Sequence, residues 1–235
     1  SIIVNGDNNR FFVGQPESLR DAYINPFPIF ERVALEYFTG REWLVTEIDT
    51  FLHSHDLCYF ILEAQAGLGK TTFMAWLVKE RGYIHNFCEL RPGAEGIGQT
   101  IKNLSVQLLL LGEGSESPLW ESYLPNTALR PDYLEYLLQK TSQNRQDNQK
   151  IVLVIDALDE AGTPYNRNVL GLPKTLPEGV HILASQRPGA VRLYADETTT
   201  PRVIYHLRAI QQDNQDYHYF AKHWNRNPVT LISKT

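Results

Sequence analysis

The apolar positions of the chain fall into two kinds of run. LCYFILE (57–63), YIHNFCEL (83–90), IVLVID (151–156), VHILAS (180–185) and RVIYHL (202–207) are short and almost unbroken, the composition of buried strands. Between them the spacing changes to that of helices. REWLVTEIDTFLHSH (41–55) lines up Trp43, Leu44, Ile48, Phe51 and Leu52 on one stripe. TTFMAWLVKERG (71–82) stops at Gly82, GIGQTIKNLSVQLLLLG (96–112) stops at Gly112, and PDYLEYLLQKTSQNRQ opens with Pro131 in its first turn. ERVALEYF (31–38) is also helical in spacing, and DNQDYHYFAKHW (213–224) reads as an amphipathic helix. NPFPIF (25–30) is expected to be extended, because a proline disfavours helix in the residue before it. IIVNGDNNRFFVG (2–14) reads as two short strands around a turn, and 113–131 as polar loop.

Strand and helix alternate. That predicts an α/β chain of three layers: a mostly parallel five-stranded sheet with helices on both faces. Composition supports a globular body, with 235 residues, 43% hydrophobic and 21% charged. The net charge of -5 supplies no basic footprint and argues against nucleic acid as a partner. Cys58 and Cys88 each sit in an apolar run, which predicts two buried free thiols. No stretch has membrane-spanning length and no signal peptide is visible, so the expected location is the cytoplasm, away from membranes. The single methionine is Met74, so the sequence reads as a piece of a longer polypeptide.

ILEAQAGLGKTTFM (61–74) carries the sharpest chemistry. A phosphate-binding loop needs converging backbone N–H groups, which glycines permit, a lysine for the β/γ oxygens and a hydroxyl for Mg²⁺. Ala66, Gly67, Leu68, Gly69, Lys70, Thr71 and Thr72 supply these between a strand and a helix. The position six before the lysine, where such loops usually carry their first glycine, is Ala64; it adds only a methyl group. A second signal is IVLVIDALDE. Asp156 at the end of its strand is placed to hold Mg²⁺ with Thr71, and Asp159 or Glu160 to handle the attacking water. An acid at a strand end also serves as a helix N-cap. A third is Arg187 in ILASQRP, beside Ser185 and Gln186. Its strand is expected to neighbour the phosphate-loop strand, which would let the guanidinium sense a γ-phosphate.

EAQAGLGKTT, DALDEA, ASQRP and FTGREW (38–43) in this order resemble the nucleotide-binding domain of STAND-class P-loop ATPases, most closely the NACHT group. The resemblance covers roughly residues 31–210. It implies an ATP/ADP-binding domain over 31–207, preceded by an extended segment (1–30) and followed by the start of a helical subdomain (208–235). It implies that Phe38, Thr39, Gly40 and Arg41 border the adenine, and that Arg41 and Glu42 touch the nucleotide or cap the next helix. Gln186, interposed in the sensor segment, departs from the usual Ser/Thr-Arg-Pro. Such proteins rest with ADP, exchange it for ATP, hydrolyse slowly and form homo-oligomers that activate an effector, in bacterial antiviral defence, signal transduction or innate immunity. Sensor and effector domains would lie outside this chain. His218 and His223 read as one helix face with Tyr217, Tyr219 and Trp224. Three other readings remain: a scaffold that binds nucleotide without hydrolysis, an AAA-type motor ATPase, and a small-molecule kinase, which would want an arginine-rich lid that 113–131 lacks.

Overall fold

The computed structural model describes residues 17–33, 35, 38, 41–209 and 232–233. In chain order these form α1 (Leu19–Ala22), α2 (Phe27–Arg32), α3 (Glu42–Ser54), β1 (Cys58–Glu63), α4 (Lys70–Arg81), β2 (Ile84–Phe87), α5 (Gly96–Leu109), α6 (Pro131–Asn144), β3 (Ile151–Asp156), β4 (Val180–Gln186) and β5 (Arg202–His206). The strands make one sheet in the order β2-β3-β4-β1-β5, and every pairing is parallel. Beyond it, Arg208–Ala209 pairs antiparallel with Ile232–Ser233. The hairpin expected over 2–14, the helix over 213–224 and its two histidines, and Thr39 and Gly40 lie outside the described residues.

Alternation along the strands builds the layers, because successive side chains of a strand point to opposite faces. Tyr59, Ile61, Leu153, Ile155, Ile182 and Ala184 face a core closed by α5 and α6. Phe60, Leu62, Val152, Val154 and Leu183 face a second core closed by α2, α3 and α4. The result is the three-layer α/β arrangement of P-loop-like folds. Both cysteines are buried and free, as expected. Burial pushes the Cys58 thiol up to about 12 and the Cys88 thiol higher still, which makes both inert.

One local expectation fails. NPFPIF is not extended: α2 runs through it, with Pro26 as N-cap and Pro28 in the first turn. The first helical N–H groups have no intrahelical partner, so a proline there loses nothing and its fixed φ favours the turn. Asn25 Oδ1 accepts the Phe27 N–H at 2.9 Å and helps hold the entry. The helix expected over 31–38 therefore starts earlier and ends at Arg32, with Val33 as its C-cap.

The free edge of β2 is covered by amide side chains. Gln107 Oε1 accepts the His85 N–H at 2.9 Å, while Gln107 Nε2 and Asn103 Nδ2 both donate to the His85 carbonyl. Asn103 Oδ1 also accepts the Ile24 N–H at 2.9 Å, which ties the segment after α1 to this edge. Asn103→Leu strands the Ile24 N–H and the Asn86 amide oxygen. It is expected to lower stability by about 2–3 kcal/mol, read as a lower urea midpoint at unchanged m-value.

Candidate functional site

Strand order decides where the chemistry converges. β4 is inserted between β1 and β3, so its end separates the phosphate loop from Asp156. Leu62 is level with Ser185 and Glu63 with Gln186, while Ile155 is level with Ala184. The carboxyl ends of three neighbouring strands thus present residues 63–71, 156–160 and 185–187 to one crevice, the usual place for ligands on an open parallel sheet.

The loop itself is shaped by two positive φ angles, +81° at Gly67 and +70° at Gly69. Gly69 is the N-cap of α4, and no side chain caps that end and no acid lies in its first turn. The exposed N–H groups and the positive end of the helix dipole therefore face the crevice, as an anion site requires. Gln65, Ala66 and Gly67 form the exposed tip, while Leu68 is anchored in the α3/α4 core. Lys70 Nζ folds over the loop and donates to the carbonyls of Ala64 (2.6 Å) and Gln65 (3.1 Å). Burial lowers its pKa, against the pull of Asp156 and Asp159. Thr71 and Thr72 follow in the first turn of α4.

Asp156 is fully buried at the end of β3. Ser185 Oγ donates to its Oδ1 and accepts the Ala157 N–H at 3.1 Å, holding Ala157 in a left-handed turn. Burial raises the Asp156 pKa, and Ser185 and then Thr71 oppose the rise. Thr71 is near enough to favour the charged carboxylate, and the buried Oδ2 has no hydrogen-bond partner. A buried carboxylate oxygen left bare, with a threonine hydroxyl beside it, fits a hard cation that takes oxygen ligands. Among the described residues no cluster of three or more His, Cys, Asp or Glu makes an all-protein metal site.

Asp159 and Arg187 are paired with each other. The Arg187 backbone N–H and Nε donate to Asp159 Oδ1 (3.3 Å) and Oδ2 (2.5 Å), and Arg187 Nη2 lies 4.0 Å from Glu160. The Asp159 side chain is 6% exposed and that of Arg187 is 56% exposed. The hydrogen bond to Asp159 raises the arginine's pKa above its ordinary value. Glu160 remains open at the rim.

Arg41 approaches the loop from behind. Its Nη1 and Nη2 donate to the carbonyls of Gly69 (2.7 Å) and Leu68 (2.6 Å), and burial pushes its pKa down to about 10. It caps no helix with its side chain. The Phe38 ring lies 6.0 Å from this guanidinium and stacks on Trp76 of α4 at 5.2 Å. A Cβ on Gly69 would come within 2.6 Å of Arg41 Nη2, so the loop and its brace are fitted to each other. A lysine cannot reproduce the two-pronged contact. Arg41→Lys is expected to weaken phosphate-ligand binding about fivefold to tenfold, measured by titration with ADP, each lost charge-assisted bond contributing about 1.5–3 kcal/mol at most.

Two residues of the crevice give little warning in the sequence. Glu63 ends an apolar strand and would ordinarily point to water, yet it is 5% exposed. Gln186 donates to Glu63 Oε1 (2.7 Å) and to the Val191 carbonyl (3.0 Å). The only hint is an acid closing an otherwise unbroken apolar run. A polar depression of about 630 Å³ lies at the opposite end of the sheet, where Arg145 is paired with Glu178 and Lys150 with Asp56. Both cations that line it, Arg145 and Lys150, are thus already paired with carboxylates.

The fold and this crevice define an α/β protein of the P-loop-like three-layer class. Residues 40–187 match the family model described as nephrocystin 3, N-terminal, and the chain belongs to that family. The match runs from the segment before α3 to Arg187 and so encloses every element of the crevice. No curated protein matches the chain. Among the described residues no helix is long and apolar enough to cross a membrane.

Proposed function

We propose that this chain is the ATP/ADP-binding switch domain of a STAND/NACHT-type signalling ATPase. It would hydrolyse ATP slowly and, within a longer protein, assemble into homo-oligomers that activate an effector elsewhere. One observation carries the reading: buried Asp156, its Oδ2 bare, lies beside Thr71 at the N-terminus of α4, near a glycine loop closed by Lys70. In this reading the N–H groups of Ala66–Thr72 cradle the phosphates, and Lys70 leaves its two carbonyls for the β/γ oxygens. Thr71 and Asp156 would hold Mg²⁺, which supplies neutralisation of phosphate charge when bound. Glu160 or Asp159 orients water, and Arg187 reads the γ-phosphate. Slow turnover suits a switch, because the bound state carries the information.

The Asp159–Arg187 pair favours a second reading, a scaffold that binds nucleotide without hydrolysis, since each of these groups neutralises the other. Denaturing the purified chain and identifying released nucleotide by chromatography, beside a turnover assay, separates the readings. Bound ADP with measurable phosphate release supports the switch. Bound nucleotide with no release supports the scaffold. No nucleotide, and no binding of added ATP or ADP with Mg²⁺, defeats both.

A further inference from the structure

We infer that Glu63 is a positioning residue that ties the Arg187 loop and the exit of β5 to the phosphate loop, and so sets how well the site tells ATP from ADP. The inference rests on the nucleotide reading above. Three segments meet on this one residue. Its Oε1 accepts from Gln186 Nε2 at 2.7 Å and from the Gly189 N–H at 3.3 Å. Its Oε2 faces His206 Nδ1 at 3.3 Å. Its carbonyl accepts the Leu207 N–H at 2.7 Å, and the next residue, Ala64, donates its N–H to the Gln186 carbonyl at 3.2 Å.

The consequence follows from chain order. Gln186 and Gly189 bracket Arg187, so the backbone carrying the sensing guanidinium is held on both sides by one buried carboxylate. The turn between them closes with the Ala190 N–H on the Arg187 carbonyl at 3.1 Å. The phosphate loop begins one residue after Glu63, so the distance from loop to Arg187 is fixed through this side chain. Among the described residues no lysine or arginine is paired with it; its partner is His206, at the end of β5 where the chain leaves the sheet. A shift of Arg187 toward a γ-phosphate is therefore felt at His206 and Leu207. An acid kept almost dry for shape alone would be costly, since an apolar residue fills a strand end at less expense.

Two measurements on the full chain test this. Without nucleotide, amide hydrogen exchange is followed in Glu63→Ala, Glu63→Gln and the parent. The amides of 187–191 and 205–207 should exchange at least tenfold faster in Glu63→Ala, with α5 and α6 unchanged. With Mg²⁺, fluorescent ADP and a non-hydrolysable ATP analogue are then titrated. Glu63→Ala should bind ADP within about threefold of the parent and lose at least tenfold in its preference for the ATP analogue. Glu63→Gln, which keeps an acceptor for Gln186 and Gly189, should recover most of that preference. Unchanged exchange at 187–191, or an equal loss for both nucleotides, overturns the inference and leaves the nucleotide site standing. A parent that binds neither nucleotide overturns the proposed function, and the sensing role of Glu63 with it. Should Glu63→Ala fail to fold, Gln186→Ala removes the tether from the other side and is expected to show the same selective loss.

Discussion

Asp156→Asn should leave the chain folded and more resistant to urea at pH 7, while Mg²⁺-dependent nucleotide binding falls by about 10- to 100-fold. The two effects have one cause. Burial raises the pKa of Asp156, so its ionised form is disfavoured in the fold relative to the unfolded chain. The folded state then holds the proton more tightly, and the stability from this group is greatest at low pH. It is lost as pH rises through the raised folded pKa, and at neutral pH the carboxylate opposes folding. Asparagine keeps an acceptor for the Ser185 hydroxyl and removes the buried charge. The urea midpoint of the variant should therefore exceed that of the parent at pH 7, and the gap should close as pH falls toward 4. In the proposed site the same charge would face the cation, and a charge-assisted contact contributes about 1.5–3 kcal/mol. A variant less stable than the parent at pH 7, or one with unchanged Mg²⁺ dependence, would contradict this account of Oδ2.

Lys70→Ala is expected to reduce ADP and ATP affinity about 100-fold or more and to change stability by less than about 1 kcal/mol. Without ligand the ammonium spends its protons on the carbonyls of Ala64 and Gln65. Gln65 is at the exposed tip of the loop, where water replaces the lysine, so the net cost to the fold is small. With ligand the ammonium would meet phosphate oxygens, and the loss of two charge-assisted bonds is large. Isothermal titration and urea unfolding on the same preparation check both halves. Equal affinity in parent and variant would remove the lysine from the site.

The particular elements show why some features were legible and others were not. β1, β3 and β4 were visible because they are buried on both faces, and central parallel strands read as unbroken apolar runs. The shape of the glycine loop at 64–71 was visible because it is local: two glycines with positive φ stand directly before the lysine and threonine that open α4. The helix through NPFPIF was missed because a rule about the residue before proline was applied where proline's tolerance in a first turn prevails. Arg41 was placed near the nucleotide by resemblance, but its grip on the Leu68 and Gly69 carbonyls crosses 27 and 28 residues and leaves no trace in local pattern.

The sequence alone determined the alternation of strand and helix, the burial of the central strands and the shape of the loop at 64–71. Each depends on neighbours within a few residues, so hydrophobic period and backbone preference are sufficient to specify it. The tertiary structure alone decided that β4, expected beside β1, also borders β3, that Asp159 is paired with Arg187, and that Glu63 is buried against Gln186, Gly189 and His206. These partners are more than a hundred residues apart for Glu63 and 28 apart for Asp159 and Arg187. Strand order brings them together, and a charge takes its partner from whatever the packed sheet places within reach.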